Sequence, residues 1–286
     1  MALYAIEDDD LIDAWDADKR AVYGCLECFG PVKVRRGRNR FPHFYHLAPS
    51  PSCRLYSKSE DHLLLQLQLQ KSLPPGEIQM EKPLLTINRV ADLLWEKKKL
   101  VFEIQCSTLY EAEAEARIKE YRNGGYEIAW ILDDRIFNKH RLRPAEKFLR
   151  RHLAYFASVR RSAPSYFYDQ FEIFHGEKRI KKGREIAIHL QHIQPLPSVR
   201  WPAELPSQIE NRIPNSPWYF ERDLIHRTLL SQRYPSYKLS LQNWRALEIH
   251  LQKVHRQPNV FKRFYVRFIR DPYLAFLDAL LRRVNR

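Results

Sequence analysis

Two short apolar runs separated by four charged residues form the clearest pattern in the sequence. The runs are Val90–Trp95 and Leu100–Gln105, and the residues between them are Glu96–Lys99. Apolar runs of this length that flank a polar turn predict two antiparallel strands. This part of the chain is therefore expected to form a β-hairpin.

The register of this hairpin decides which polar side chains meet. If Trp95 pairs with Leu100, Asp92 lies directly opposite Glu103, with Cβ atoms roughly 5 Å apart. Because side chains alternate along a strand, Gln105 shares the face of Glu103. A shift of one residue would put the two carboxylates on opposite faces, and a surface hairpin with scattered charges is then the alternative.

The pattern predicts a helix on each side of the hairpin. Ser59–Lys71 alternates Leu and Gln as a strand would, but its leucine cluster and its strong helix formers favour a helix. Leu109–Arg122 is rich in Ala and Glu, with Thr108 and Glu111 at capping-box spacing. Asn123–Gly125 provides a stop signal for this second helix.

Two more strands complete the predicted core. Glu77–Leu85 follows a break at Pro74–Gly76, and Tyr126–Leu132 is a short apolar run typical of a buried strand. The order is then helix, three strands, helix, strand. This order predicts an α/β core over residues 56–155, with the carboxylates on its second and third strands.

Cysteines and histidines near the N-terminus are spaced like zinc ligands. Cys25-x-x-Cys28 is followed by His43-x-x-His46 and then by Cys53. Because the two histidines are one residue too close for a zinc finger, we expect only one of them to bind. A metal-free β-module with reduced thiols is the alternative. A structural zinc would stabilise a module of residues 1–55, which is too small to bury much core.

A hairpin within this module selects the histidine. If Val32–Arg35 pairs with Arg40–Tyr45 around a turn near Gly37, His46 lies near Cys28 and His43 lies near Val32. We therefore expect zinc to be bound by Cys25, Cys28, His46 and Cys53, with His43 as the alternate ligand.

Charge is distributed unevenly over the 286 residues, whose formal net charge is +14. Residues 1–140 carry 20 Lys and Arg against 22 Asp and Glu, whereas residues 141–286 carry 28 against 12. A one-sided basic surplus interleaved with aromatic residues favours binding to nucleic acid, although a charge run alone is more often a solvated face. The predicted contact residues in this half are Lys178, Arg179, Lys181, Lys182, Arg184, Lys262, Arg263 and Arg267.

Residues 156–286 are predicted to form a basic, mostly helical domain. Trp218–Gln232, Leu241–Gln257 and Pro272–Val284 have amphipathic helical patterns, and the proline-rich stretch Pro195–Pro217 interrupts the region as an irregular linker. No catalytic constellation is evident there.

Composition limits the remaining classes of protein. The sequence is 44% hydrophobic, which is ample for a core, yet it has no run of roughly 20 apolar residues that would span a membrane. The N-terminus is acidic, which is unlike a secretory signal. Four cysteines without such a signal indicate a reducing, cytoplasmic environment.

Several motifs, in order along the chain, resemble one family. Cys25-x-x-Cys28 with His43-Phe44-Tyr45-His46, the acidic start of the first helix at Ser59–His62, Val90-Ala91-Asp92 and Glu103–Ser107 are similar to motifs of the competence protein CoiA family, within the PD-(D/E)xK nuclease superfamily. Arg117, Tyr121, Gly125 and Trp130 follow at similar spacing. The resemblance runs from about Ala5 to Leu132, and after residue 150 it is only general.

The resemblance implies a restriction-endonuclease-like core and a Mg²⁺- or Mn²⁺-dependent deoxyribonuclease. It also implies a role in natural transformation and recombination, with single-stranded DNA as substrate and a recombinase as partner. Asp92 and Glu103 would hold the metal. The third position, usually Lys in the superfamily, is the neutral Gln105, which leaves a non-cleaving DNA-binding accessory protein as the alternative.

Other site residues are predicted with explicit alternatives. Glu60 is the chosen first-helix acid, although Asp61 is adjacent and only one of the two can face the metal. His62 is a proton carrier or simply a polar residue at the helix start. Arg117 and Tyr121, one helical turn apart, meet a DNA backbone, or else are a solvent-facing Arg and a packed Tyr.

Overall fold

The computed structural model describes residues 1–38, 40–160, 163–256, 266–270 and 272–273. The N-terminal part is a five-stranded antiparallel sheet with the order β2-β1-β3-β4-β5. Its strands are β1 (Tyr4–Glu7), β2 (Asp10–Asp13), β3 (Tyr23–Gly24), β4 (Pro31–Gly37) and β5 (Arg40–His46). A β-module in this position agrees with the prediction from the cysteine-containing segment.

The central elements follow in the predicted order, each with bounds within two residues of the expected ones. They are α1 (Glu60–Lys71), β6 (Ile78–Leu84), β7 (Arg89–Trp95), β8 (Leu100–Gln105), α2 (Glu111–Asn123) and β9 (Glu127–Asp133). The hairpin register is also confirmed, because Trp95 pairs with Leu100 and Leu93 with Phe102.

The rest of the chain contains more strands than the sequence predicted. Its elements are α3 (Asp134–Phe137), α4 (Pro144–Leu149), β10 (Ala154–Ser158), β11 (Tyr166–Asp169), β12 (Glu172–His175), β13 (Lys178–Lys182), β14 (Ile186–Ala187), β15 (His189–Pro195), α5 (Ser207–Arg212), β16 (Trp218–Glu221), α6 (Leu224–Leu230), α7 (Pro235–Arg256) and the π-helix Val266–Arg270. The expectation of a mostly helical region is therefore wrong for residues 156–221, where short strands predominate.

A seven-stranded sheet forms the centre of the molecule, with the order β14-β11-β10-β9-β8-β7-β6. Strands β8, β9 and β10 are parallel to one another, and the other neighbours are antiparallel. The domain boundary predicted after residue 155 lies inside β10. The sheet thus extends beyond the segment that sequence patterning predicted as the core.

Helices α1 and α2 pack on opposite faces of this sheet. On one face, Leu65 and Leu69 of α1 contact a core that includes Phe102 and Ile104. On the other face, Ile118 of α2 belongs to a core with Val101 and Trp130 of the sheet. The alternation predicted for β8 is confirmed, since Phe102 and Ile104 share the α1 face.

The helix ends differ in how they are capped. Ser59 caps α1 by accepting a hydrogen bond from the amide of His62. In α2 the N-cap is Tyr110, without a side-chain cap, so the capping box predicted for Thr108 and Glu111 is wrong. The helix begins two residues later than expected, which leaves Thr108 outside the first turn. Gly125 follows the helix with φ +82°, as a glycine stop requires.

Six buried charges join the C-terminal strands and helices to the sheet, and we call them the arginine network. They alternate in sign along a chain of ion pairs, in the order Arg212, Asp169, Arg150, Glu172, Arg179, Glu146. Each side chain is at most 2% exposed. Because the residues come from α4, β11, β12, β13, α5 and their ends, the network connects elements that are far apart in sequence.

Two of the three helices predicted near the C-terminus have counterparts. Trp218–Gln232 is divided into the strand β16 and the short helix α6. The segment predicted at Leu241–Gln257 lies in α7 up to Arg256, and Gln257 lies outside the described residues. Most of Pro272–Val284 lies outside the described residues. Within the described part of the chain, every helix is too short or too polar to cross a membrane.

Candidate functional site

Asp92 is held at the point where the β7–β8 pairing ends. The last pair of the ladder is Leu93 with Phe102, and one position further on the Asp92 Oδ2 accepts a hydrogen bond from the Ile104 amide at 2.8 Å. The Asp92 carboxylate thus accepts the hydrogen bond that a backbone carbonyl would accept in a continued ladder, at the point where the two strands separate. The other oxygen, Oδ1, lies 3.1 Å from His62 Nε2, within hydrogen-bond distance, so both oxygens of the Asp92 carboxylate are held in place.

Glu103 is held from the opposite direction by α2. Tyr121 donates its hydroxyl to Glu103 Oε1 at 2.6 Å, and Arg117 Nη1 donates to Oε2 at 3.1 Å. Arg117 also pairs with Glu113 one turn earlier. Tyr121 is buried and the Arg117 side chain is 14% exposed, so both orient this carboxylate instead of presenting a surface to a DNA backbone. The nucleic-acid role predicted for the two residues is corrected accordingly.

The two carboxylates have opposite pKa shifts. Burial by itself would raise the pKa of Asp92, but attraction to His62 and Lys58 holds it far below its usual value. Burial raises the pKa of Glu103, repulsion from Asp92 raises it further, and Arg117 only partly opposes this. Asp92 is thus held in its charged form, whereas the charged form of Glu103 is disfavoured. An additional cation bound at this site would stabilise both negative charges.

Lys58 is the residue of the site that sequence patterning missed. Its Nζ lies 2.7 Å from Asp92 Oδ1 and 3.1 Å from Glu81 Oε1, and its side chain is 8% exposed. Burial favours the neutral amine, but attraction to both carboxylates raises the pKa of Lys58 above its ordinary value. The sequence does show a lysine directly before the Ser59 helix cap. Its partners Glu81 and Asp92 are 23 and 34 residues further along the chain, so the local pattern does not reveal the pairing.

The first helix contributes His62 and neither of its acids. Glu60 is half-exposed and does not line the cavity at Asp92, so its predicted catalytic position is wrong. Asp61 pairs with Arg135 at 2.8 Å on the far side of the helix start. Of Glu60, Asp61 and His62, only His62 lines the cavity, because successive residues of a helix point about 100° apart.

Gln105 lies at the end of β8, beside the carboxylates. Its amide nitrogen donates to the backbone oxygen and the hydroxyl of Ser107, at 3.0 and 3.1 Å. Gln105, Cys106 and Ser107 all line the same cavity as Asp92 and Glu103. Gln105 is therefore anchored by its donor group, and its side chain adds no positive charge.

The cavity has a volume of about 120 Å³ and is walled partly by the N-terminal module. Glu27, Arg54 and Leu55 form that wall. Glu27 accepts hydrogen bonds from the Leu55 amide at 3.1 Å and from Arg54. The module is fixed to the sheet by buried Glu81, whose carboxylate accepts the amides of Leu3 and Tyr4. The cavity is therefore built jointly by two parts of the chain.

The predicted zinc ligands come together as a group, which we call the cysteine cluster: Cys25, Cys28, His46 and Cys53. Their ligand atoms all lie within 4.8 Å of one another. Cys25 Sγ is 3.7 Å from Cys53 Sγ, and Cys28 Sγ is 3.3 Å from His46 Nε2. Three sulfurs and one imidazole nitrogen at such separations fit the tetrahedral set of a structural zinc.

His46 is the histidine that lies with the three cysteines, as expected, but the register that led to this expectation was wrong. His46 pairs with Val32, and His43 pairs with Arg35, so β5 is displaced by three residues from the expected pairing. An irregularity between Arg35 and Gly37 accounts for part of this displacement. His43 is buried and bonds to the Phe41 carbonyl, outside the cysteine cluster, so it is not an alternate ligand.

The predicted basic contacts divide into surface and interior residues. Arg179 is buried in the arginine network, so its predicted nucleic-acid contact is wrong. Strand alternation explains this, because Lys178, the residue before it on β13, points to the opposite, exposed face. Lys262 and Arg263 lie outside the described residues, and Arg267 is exposed. The exposed basic residues of the β12–β13 hairpin and the segment after it are Lys178, Lys181, Lys182 and Arg184.

The fold and the site define a mixed α/β protein whose central sheet presents paired carboxylates to a polar cavity. The model of the competence protein CoiA nuclease-like domain matches residues 58–206, just over half of the chain. The chain therefore belongs to the CoiA family and is a competence-related, nuclease-like protein. Comparison with curated proteins and with solved structures gives no match.

Proposed function

We propose that this chain is a metal-dependent deoxyribonuclease, a phosphodiester hydrolase that acts on incoming DNA during natural transformation and recombination. The observation that carries the proposal is the convergence of Asp92 and Glu103 on one cavity beside a buried lysine, Lys58. The order of α1, β6–β8, α2 and β9 is consistent with a restriction-endonuclease-like core. Residues 58–206 belong to a nuclease-like family domain, which supports DNA as the substrate.

The donor set fits a hard divalent cation. Asp92 Oδ2 and both Glu103 oxygens each accept one hydrogen bond, which leaves each of them a lone pair. Mg²⁺ is typically held by one or two carboxylates together with phosphate oxygens. Bound Mg²⁺ or Mn²⁺ would supply positive charge for the phosphate oxygens and lower the pKa of an attacking water.

The protein groups have separate tasks in this proposal. Tyr121 and Arg117 keep Glu103 pointed into the cavity, and His62 holds Asp92 and can carry a proton. Lys58 supplies the cation that Gln105 lacks, and it reaches the site from the segment before α1. The Lys58 ammonium, 2.7 Å from Asp92 Oδ1, would place a positive group beside a phosphate bound in the cavity, where it would stabilise developing charge.

DNA affinity is assigned mainly to the basic surface of the C-terminal half. Four exposed cations on and beside the β12–β13 hairpin are suited to neutralise phosphates, together with Arg267. Single-stranded DNA as substrate and a recombinase as partner follow from the family resemblance, and a cytoplasmic location follows from the four cysteines without a secretory signal. Zinc at the cysteine cluster is proposed to be structural, in a module of residues 1–55 that precedes the nuclease-like unit and the basic C-terminal region.

One observation favours a second function, that of a non-cleaving DNA-binding accessory protein. The Lys58 ammonium is compensated by two buried carboxylates, and Gln105 is tied to Ser107. Because the charge of Lys58 is neutralised and Gln105 is uncharged, such a site keeps the shape of a nuclease site. It loses much of the positive charge that would stabilise the phosphate during cleavage. Such a protein would bind DNA without cutting it.

Cleavage of labelled single- and double-stranded DNA with Mg²⁺ or Mn²⁺ decides between these functions. Asp92→Ala and Glu103→Ala are each expected to abolish cleavage and to leave DNA affinity largely intact, because each removes a metal ligand at the reaction centre. Glu115→Ala, an exposed carboxylate on α2, is the matched control and should cut like the parent.

Two results would overturn the assignment. If both carboxylate variants cut as well as the parent, the active site lies elsewhere. If the parent cuts neither strand form with any divalent metal but still binds DNA, the accessory function is the correct one.

A further inference from the structure

Two histidines and a glutamate converge on the surface of the hairpin formed by β15 and β16. His189 Nδ1 lies 3.1 Å from Glu221 Oε2, and His192 Nδ1 lies 2.5 Å from the same oxygen. The three ligand atoms are all within 4.8 Å of one another. None of these residues contributes to the carboxylate cavity or the cysteine cluster.

An irregularity of the strand is what brings the second histidine into place. His189 pairs directly with Glu221, but the next pair is Ile193 with Phe220, so three residues of β15 have no partner on β16. In a regular strand His189 and His192 would point to opposite faces, because they are an odd number of positions apart. The bulge turns His192 onto the face of His189, and bulges commonly re-aim a side chain in this way.

The bulge is fixed in position by the hydrophobic core. Leu190 and Ile193, at its two ends, are 3% and 5% exposed and belong to the main core cluster. On the partner strand, Phe220 is fully buried and its ring packs against Phe102 and Tyr155. The three polar side chains are therefore presented by a rigid backbone, while their tips remain open to solvent at 37%, 62% and 35% exposure.

We propose that His189, His192 and Glu221 form a second metal-binding site, which takes Zn²⁺ or another divalent ion that prefers imidazole, such as Ni²⁺ or Co²⁺. Two imidazoles and one carboxylate are ligands for borderline ions, unlike the hard oxygen pair at Asp92 or the sulfur-rich cysteine cluster. Three protein ligands leave one coordination position for water or another small ligand.

The two histidines also line a cavity at the surface. Ser72, Tyr166 and Gln191 line it with them, which leaves room beside the histidines for a further ligand. Bound metal would also link the two strands across the bulge and stabilise the folded chain increasingly as the free metal concentration rises above its Kd. The site does not depend on cleavage activity, since none of its residues lies in the carboxylate cavity.

The test is calorimetric titration of NiCl₂ and CoCl₂ into the full-length protein loaded with one equivalent of zinc, the amount that the cysteine cluster takes. One additional ion per chain should bind to the parent. His192→Ala and Glu221→Gln should each weaken this binding at least about tenfold. His250→Ala, an exposed histidine on α7, is the matched control and should bind like the parent. Each variant is first shown to melt like the parent without added metal.

The control for the other metal site is Cys28→Ser, which changes the cysteine cluster and should leave nickel and cobalt binding unchanged. The proposal is overturned if the parent shows no saturable binding below about 1 mM, or if His192→Ala and Glu221→Gln bind as tightly as the parent. Because the readout is binding of the metal alone, failure here would leave the proposed nuclease function unaffected.

Discussion

The carboxylate site and the arginine network are both clusters of buried charge, yet they differ in balance and in access. In the arginine network, Asp169 and Glu172 each bond to two guanidinium groups, and solvent is excluded. In the carboxylate site, Asp92 and Glu103 line one cavity, and burial together with their repulsion raises the pKa of Glu103.

This difference teaches how a structural cluster can be told from a functional one. Burial and charge are common to both, so neither property identifies an active site. Carboxylates that converge on an accessible cavity without enough cations are poised for an additional ligand. Carboxylates enclosed between arginines already have their partners and serve to fix the packing of α4, β11–β13 and α5.

The largest expected effect is on stability. Asp169→Asn should destabilise the chain by about 3–5 kcal/mol, because it leaves Arg150 and Arg212 buried and partly unpaired. Glu103→Gln should change the free energy of unfolding by less than about 1 kcal/mol, since the amide oxygen still accepts from Tyr121 and a repulsion is relieved. Urea unfolding measures both.

Glu177→Gln is the control for this pair of variants, because Glu177 forms an exposed ion pair with Arg141 and such pairs contribute little. If Asp169→Asn and Glu103→Gln prove equally destabilising, the distinction between the two clusters is lost.

Lys58 tests whether the carboxylate site uses its buried cation in chemistry. Lys58→Met should lower the rate of cleavage by about 10²–10³-fold while DNA affinity stays the same, because charge stabilisation at the phosphate is removed. Lys82→Met, an exposed lysine on β6, is the matched control. An unchanged cleavage rate in a folded Lys58→Met variant would show that the lysine only balances charge.

The basic hairpin should have a smaller, salt-dependent effect. Replacing Lys178, Lys181, Lys182 and Arg184 by Gln should weaken DNA binding and flatten its dependence on salt, by up to about 0.9 in slope for each phosphate that the variant no longer neutralises. The three lysines Lys97, Lys98 and Lys99, in the β7–β8 turn, provide a control for non-specific loss of charge. Equal slopes for the two variants would remove the hairpin from the DNA-binding surface.

Glu146 should have the smallest effect and marks the weak end of the arginine network. Burial raises its pKa to about 7 against the attraction of Arg179, and its Oε2 has no hydrogen-bond partner among the described residues. The folded chain thus binds this proton more tightly than the unfolded chain. Protonated Glu146 therefore contributes to the stability of the folded chain. This contribution is complete below pH about 4.5 and is lost as pH rises through about 7.

Thermal unfolding between pH 5 and 8 measures this contribution. Relative to the parent, Glu146→Gln should gain stability as pH rises, because Gln carries no proton to lose. A difference between parent and variant that does not vary with pH would contradict the raised pKa.

The sequence predicted the parts of the site that depend on local pattern. The β7–β8 hairpin has a short polar turn and paired apolar runs, so its register, and with it the meeting of Asp92 and Glu103, followed from spacing. Lys58 did not follow, because its contacts with Glu81 and Asp92 exist only after the segment before α1 folds against the sheet.

Two other errors have equally specific causes. Arg179 stands in a run of basic residues, and composition concealed two features of β13: the strand alternation that turns Arg179 inward while Lys178 stays outside, and the bulge after it that keeps Lys181 exposed. The strands of the C-terminal region are only two to seven residues long and are bounded by polar or proline-rich segments. They therefore have no clear strand pattern in the sequence, and the region was expected to be helical. Such strands depend on their pairing partners, which lie in the central sheet for β10, β11 and β14 and in two separate two-stranded sheets for β12–β13 and β15–β16, and local sequence does not reveal this pairing.

The short path from Cys53 to Lys58 joins the sulfur chemistry of the N-terminal module to the carboxylate cavity. Leu55, between them, donates its amide to Glu27, and Glu27 itself lies between two members of the cysteine cluster. The ammonium beside Asp92 is thus anchored, through Leu55 and Glu27, to the cysteine cluster, so the shape of the carboxylate cavity depends on the N-terminal module as well as on the central sheet.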